Sequence, residues 1–478
     1  MGETVLGISP ESLYILGKKP QSLEEIHKPH FLAFPPSDKD VEVERKKLVD
    51  AWKRNEETPL KHITDIGDVE EFRSFWDFEK KVKGFRIYAK RSFLVPEISD
   101  YLFFNHNLYT AEHDIPYHQR ALIDFAASDR AWVFDTEGKK KNLKVLVYDI
   151  ETTEFEEGRT DLPIDILGYT SIDIAVESEK NLDTEEFSFE IKDWPSNWID
   201  GEIIQLVARS KDEEIDTLLK FCKLVEQHSI ISGHNIVGFD NRQMHGRIEK
   251  IVLEYGENLS KEQMETFKLF LTKYARKDKS FHFGVGSEIV NIHPSTFDTY
   301  LGVRKFYPYL DDFGLKSVAP FLGIHIEGRV RLLPSQIKID ERTLLYNRHD
   351  VMEQCGVTLH LLEQALPLAF TTCMPFELLL ESGAVGMWDH MAMIRATRKK
   401  KIIPPIARVL PLSKSLLGLF PEGIKKREIV SEAKKKKAQI SKDLIRVLKY
   451  GEEMPDWVEY PMVIYNRFAR DSDEILNY

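Results

Sequence analysis

The chain has 478 residues, 42% of them hydrophobic and 30% charged, with a net charge of −12. Its apolar content suffices for a real core, and its length suggests about three domains at roughly 150 residues each. The acidic balance excludes a chain that coats nucleic acid by bulk charge, although local basic grooves stay open, and 25 Gly with 22 Pro excludes collagen-like or low-complexity sequence.

The three cysteines, Cys222, Cys355 and Cys373, are scattered and form no CxxC pair, which reads as reduced thiols rather than a zinc site. The opening MGETVLGISP has neither a basic nor an apolar leader region, and Leu6 stands where myristoylation asks for Ser or Thr. The most apolar run, Ala365 to Leu380, is broken by Thr371, Thr372, Pro375 and Glu377, so no membrane span and a cytoplasmic location are expected.

In chain order, residues 1–142 read as a mixed α/β N-terminal domain. Phe85 to Ala89 and Tyr101 to Phe104 predict strands, Pro116 to Phe125 a helix, and the polar stretch Glu137 to Asn142 a boundary. Leu143 to Asp149 is a strong β-branched strand. Asp165 to Val176 and Glu186 to Ile191 follow as an antiparallel hairpin joined by the turn Glu177 to Asp183.

Apolar residues at Ile215, Leu218, Leu219, Cys222 and Val225 predict a helix over Asp212 to Gln227. Ser229 to Ser232 predicts a short buried strand. Asp240 to Val252 and Lys261 to Tyr274 read as helices, and Asp340 to Leu366 as a long helix stopping near Pro367. This alternation predicts an α/β fold over 143–365, a mixed sheet flanked by helices. A helical return segment over 366–406 and a basic tail over 407–478 are expected to follow. From Arg395 to Lys449 the chain carries 17 Lys/Arg against four acids, a surface suited to phosphate or to a partner.

Four acids stand out. Asp149 and Glu151 end the first strong strand two residues apart, hence on one face, where like charges are costly unless a cation neutralises them. Asp240 opens a helix after the turn Ser232-Gly-His-Asn235-Ile-Val-Gly-Phe239, and by itself would be an ordinary cap. Tyr346 and Asp350 are four apart on the long helix and share its face. His234 and His349 adjoin these motifs, but their register turns them away from the acids. Hard oxygen ligands in such a group suit a divalent cation such as Mg²⁺ or Mn²⁺.

The order D-x-E, N-x-x-x-F-D, Y-x-x-x-D, spaced by about 90 and about 110 residues, resembles the three exonuclease motifs of family B DNA polymerases, in the tyrosine-bearing branch of the DEDD 3′→5′ exonucleases. Tyr109 to Asp124, Thr296-Phe-Asp298-Thr-Tyr, Leu315 to Gly323, Ser382-Gly383 and Arg395 to Ile406 resemble further stretches of the archaeal members. The resemblance implies an RNase H-like exonuclease domain holding two Mg²⁺ or Mn²⁺ ions. Asp149 would bridge them, Glu151 and Asp350 would complete one site, and Asp240 would serve the other. Tyr346 would orient the attacking water, with Asn235 holding the strand terminus and Phe239 packing behind Asp240 at the substrate side.

The palm motifs D-x-x-S-L-Y-P-S, K-x-x-x-N-S-x-Y-G and Y-x-D-T-D-S are absent, and Asp471-Ser-Asp473 reads as a charged tail. The expectation is therefore a proofreading 3′→5′ exonuclease from a split or truncated polymerase, acting on single-stranded or frayed 3′ DNA ends. A palm- and thumb-bearing subunit and a sliding clamp are the expected partners. The alternatives are a free-standing exonuclease or a non-catalytic polymerase-derived scaffold.

Overall fold

The computed structural model describes residues 3–54, 59–73, 81–154, 158–193, 202–280 and 287–403. The expected basic tail over 407–478, Asp471 and Asp473 included, lies outside the described residues.

The first part of the chain forms β1 (Glu3–Ile8), β2 (Ser12–Ile15), β3 (Gln21–Ser22), α1 (Leu23–Ile26), β4 (His30–Phe34), α2 (Val41–Arg54), β5 (Ile63–Arg73), β6 (Lys81–Ala89), α3 (Val95–His106), β7 (Tyr109–Ala111), α4 (Tyr117–Ala127) and β8 (Ala131–Val133). The middle forms β9 (Lys141–Glu151), β10 (Ile166–Asn181), β11 (Glu186–Asp193), β12 (Ile204–Val207), α5 (Lys211–Gln227), β13 (Ile230–Gly233), α6 (Asp240–Tyr255) and α7 (Lys261–Leu269). Then come β14 (Ala275–Ser280), β15 (Ser287–Ile292), β16 (Thr296–Asp298), α8 (Thr299–Phe306), α9 (Leu315–Phe321), α10 (Glu341–Thr372), α11 (Phe376–Glu381) and α12 (Ala384–Arg398).

Among the described residues these elements sort into two compact units, one of residues 3–23 with 129–383, the other of residues 24–128 with 384–403. In the second unit, the sheet β5-β6-β4-β7 buries Phe31, Phe85 and Ile87 against Leu48 and Trp52 of α2 and Ile98 and Leu102 of α3. Tyr101 to Phe104 is part of helix α3, not a strand. A short apolar run cannot by itself tell strand from buried helix, and here Val95, Ile98 and Leu102 supply the buried helical stripe.

The first unit is built on the sheet order β11-β10-β9-β13-β16, with β12 on the far part of β10. β9, β10 and β11 are antiparallel neighbours, whereas β13 runs parallel to β9 and β16 parallel to β13. This is a mixed α/β sheet of RNase H-like order. Leu143, Val145, Leu146, Val147 and Tyr148 of β9 are all buried, as a strand covered on both faces must be. Helix α10 packs against β9, β10 and β13, and α5 also packs against β9. The hairpin β10–β11 is longer than the sequence suggests, its strand running through Glu177 to Asn181 before the turn.

Helix α10 begins at Asp340, whose carboxylate accepts the Thr343 amide at 2.8 Å. It does not stop near Pro367 but continues to Thr372 and ends on Cys373, in left-handed conformation at φ 54°. The last turns bury Leu366, Ala369 and Phe370, and that burial outweighs the hydrogen bond a helical proline removes. All three cysteines are buried, and no disulfide joins them. No helix among the described residues is long and apolar enough to cross a membrane.

Candidate active site

The β9 register places Asp149 opposite Gly168 and Glu151 opposite Ile166 of β10. A Cβ at position 168 would overlap the Asn347 side-chain oxygen, so only glycine lets α10 lie this close to the strand. Gly233, at the end of β13, is similar. A Cβ there would stand 2.8 Å from the Tyr148 carbonyl and 2.9 Å from Gln354 Oε1. The two glycines thus seat α10 across the sheet, beside the carboxyl end of β9.

That seating brings three acids together. Asp149, Glu151 and Asp350 each offer a carboxylate oxygen, and these oxygens lie within 4.8 Å of one another. Asn347 Nδ2 donates to Asp149 Oδ2 at 2.9 Å, and Gln354 Nε2 donates to Oδ1 at 2.8 Å, so both Asp149 oxygens are held from α10. Gln205 Nε2 orients Asn347 in turn, donating to its Oδ1 at 2.9 Å. Tyr346 stands one turn before Asp350 on the same helical face, close enough for the Asp350 charge to act on its hydroxyl. Lys316 Nζ and the Arg329 guanidinium both stand over its ring, 5.5 and 5.4 Å from the centroid.

Asp240 is buried at the start of α6, where its Oδ1 accepts the Ile150 amide at 3.3 Å. It borders the cluster without belonging to the three oxygens that converge. Asn235 occupies the turn before α6 in left-handed conformation, φ 62°. Asp298, at the end of β16, accepts the Asn235 and Val237 amides at 3.1 and 3.0 Å and caps α8 through Tyr300 at 2.8 Å. One buried carboxylate therefore ties the second motif to β16. Phe239 is half-buried at the N-cap of α6.

His234 is engaged on both ring nitrogens, by Thr299 Oγ1 and the Phe313 carbonyl, each at 2.9 Å. Burial lowers its pKa to about 4. His349 Nδ1 accepts the Val330 amide at 3.1 Å. Neither is presented to the acids as a ligand.

The electrostatics are those of crowded, buried anions. Burial, then the neighbouring Glu151 and Asp350, pushes Asp149 well above the usual carboxylate range. Burial, then Asp350 and Asp240, pushes Glu151 up to about 8. Burial likewise pushes Asp240 up to about 8, and it raises Asp350 although Arg329 acts to lower it. Glu151 Oε1 is buried without a hydrogen-bond partner among the described residues. An orphaned buried oxygen facing two further carboxylates fits a hard divalent cation, which would supply charge neutralisation and an activated water. Asp149, Glu151 and Asp350 are the residues placed to hold it.

Gln354, Asn347, Arg329, Glu353 and Asp298 complete the site without a role having been read from the sequence. Asn347 and Gln354 sit three before and four after Asp350, on its helical face, which was the available signal.

A second group, His27, His30 and Asp124, also brings ligand-type atoms within 4.8 Å. There Arg120 donates to both Asp124 oxygens, at 3.1 and 2.5 Å, and Arg86 donates to His30 at 3.1 Å. Its anionic charge is already balanced by guanidinium.

A mixed sheet with clustered carboxylates at the end of its first strand defines an α/β domain with an acidic site. Residues 121–318 match the family model described as DNA polymerase family B, exonuclease domain. Among solved structures, the chain is similar to the family B DNA polymerase of the hyperthermophilic archaeon Pyrobaculum calidifontis, at a TM-score of 0.59 and 16% identity, over 87% of this chain. That likeness is one of fold, and this chain spans about half (53%) of that polymerase. None of the curated proteins matches the sequence.

Proposed function

We propose that the chain is a metal-dependent 3′→5′ DNA exonuclease of the proofreading type. The observation that carries this reading is the convergence of Asp149, Glu151 and Asp350 beside Tyr346. One divalent cation would lie among those three acids and a second, Mg²⁺ or Mn²⁺ alike, between Asp149 and Asp240. Tyr346 would hold the attacking water, while Asn235 and Phe239 would face the 3′ terminus. The substrate would be single-stranded or frayed DNA, gripped by stacking and backbone contacts with little sequence preference. A palm- and thumb-bearing polymerase subunit, a sliding clamp, a cytoplasmic location and a division at residues 142, 365 and 406 belong to the same proposal.

The test is degradation of a 5′-labelled primer-template with a mismatched 3′ end, in Mg²⁺, Mn²⁺ or chelator, by wild type and Asp149→Ala. Metal-dependent laddering lost in the variant supports the reading. One observation favours a second reading, a non-catalytic polymerase-derived scaffold: Arg329 is ion-paired with Asp350. Absence of cleavage by the wild type with either metal would shift the conclusion there.

A further inference from the structure

Arg329 lies in the loop between α9 and α10, and its side chain is only 10% exposed. Its Nε and Nη2 donate to the two Glu353 oxygens at 2.8 and 3.0 Å. Nη2 also pairs with Asp350, and the guanidinium carbon stands over the Tyr346 ring, 5.4 Å from its centroid. Tyr346, Asp350 and Glu353 follow one another at spacings of four and three, which places them on one face of α10. Val330, the next residue, donates its amide to His349 at 3.1 Å and fixes the loop to the same helix. One guanidinium therefore meets two carboxylates and the tyrosine. Nε is committed to Glu353 alone, so the contact with Asp350 can be released while the anchor holds.

We propose that Arg329, anchored by Glu353, is a positioning residue that keeps Asp350 and Tyr346 in register and competes with a divalent cation for Asp350. The inference rests on the nuclease reading above. An Arg fork suits this task because its plane and its paired donors are rigid together, a property lysine lacks.

The experiment is a Mn²⁺ titration of the full chain followed by the electron paramagnetic resonance signal of free Mn²⁺. It is paired with kcat and KM for 3′-end degradation. In Arg329→Gln the competitor is gone, so the Mn²⁺ midpoint falls on the order of tenfold. The value of kcat falls nonetheless, because Tyr346 has lost its support, and KM for DNA changes little. In Glu353→Gln the guanidinium leans wholly on Asp350, and the midpoint rises about threefold. Arg329→Lys keeps the charge without the fork, so its midpoint stays near wild type while kcat stays low.

A midpoint in Arg329→Gln equal to or weaker than wild type overturns the competition. Full recovery of kcat in Arg329→Lys overturns the positioning, and that arm stands even if Arg329→Gln does not fold. A wild type that takes up no Mn²⁺ sinks the nuclease reading itself. Uptake by the wild type without the opposed shifts sinks only the role of Arg329.

Discussion

Asn347 donates its side-chain amide to Asp149 at 2.9 Å, across 198 residues of sequence. The contact joins the strand that carries the first acid to the helix that carries the third, immediately beside Tyr346. The geometry of the carboxylate cluster therefore depends on a neutral amide.

Replacing Asn347 by Leu removes that donor while keeping the branched shape of the side chain. Asp149 is then held only by Gln354, and the cost is about 1–2 kcal/mol of stability. Exonuclease turnover is expected to fall on the order of tenfold or more through misplacement of Asp149. Chemical denaturation and single-turnover degradation check the two halves separately. Unchanged turnover would show that Asp149 needs no holding from α10.

Tyr346→Phe removes the hydroxyl on which the Asp350 charge acts and leaves the ring beside Lys316 and Arg329. Turnover should drop on the order of 10²-fold, within the range expected for loss of a positioned proton-handling group. The stabilisation that Mn²⁺ gives against thermal unfolding should persist, because none of the three converging carboxylates is altered.

Gly168→Ala places a methyl group on the Asn347 side-chain oxygen. Helix α10 or strand β10 must shift, at a cost of roughly 1–3 kcal/mol. A lower melting temperature together with lost cleavage is expected. A variant as stable as wild type would show that α10 has slack over the sheet.

Glu377 of α11 is only 13% exposed, its Oε1 accepting the Thr296 amide at 2.6 Å with His293 Nδ1 at 3.7 Å, and its Oε2 without a hydrogen-bond partner among the described residues. Burial pushes its pKa up to about 8, from about 4.5 when exposed. Between those values the folded chain holds a proton that the unfolded chain has released, so stability falls as pH rises from about 4.5 through about 8. Its share is on the order of a few kcal/mol. Glu377→Gln should flatten the stability profile across that window. A profile as steep as that of wild type would assign the slope to other groups.

Much of the domain was legible before folding. The β-branched run of β9 and the helical spacing of α5 and α6 match their observed spans within a few residues. Two of the misreadings share one cause. Tyr101 to Phe104 and the stretch after Pro367 each carry a local signal, an apolar run and a helix breaker, that burial in the folded chain overrode.

The sequence alone determined which acids share a face. Asp149 with Glu151, and Tyr346 with Asp350, are paired by strand and helix periodicity, a property of the local backbone. It could not say which neutral or cationic groups would meet them. The approach of α10 at Gly168 and Gly233, the amides of Asn347 and Gln354 on Asp149, and Arg329 bridging Asp350 and Glu353 are contacts between segments far apart in the chain. Polar side chains leave no periodic trace of their partners, because hydrogen bonds form wherever packing sets donor beside acceptor, and only the tertiary structure sets that distance.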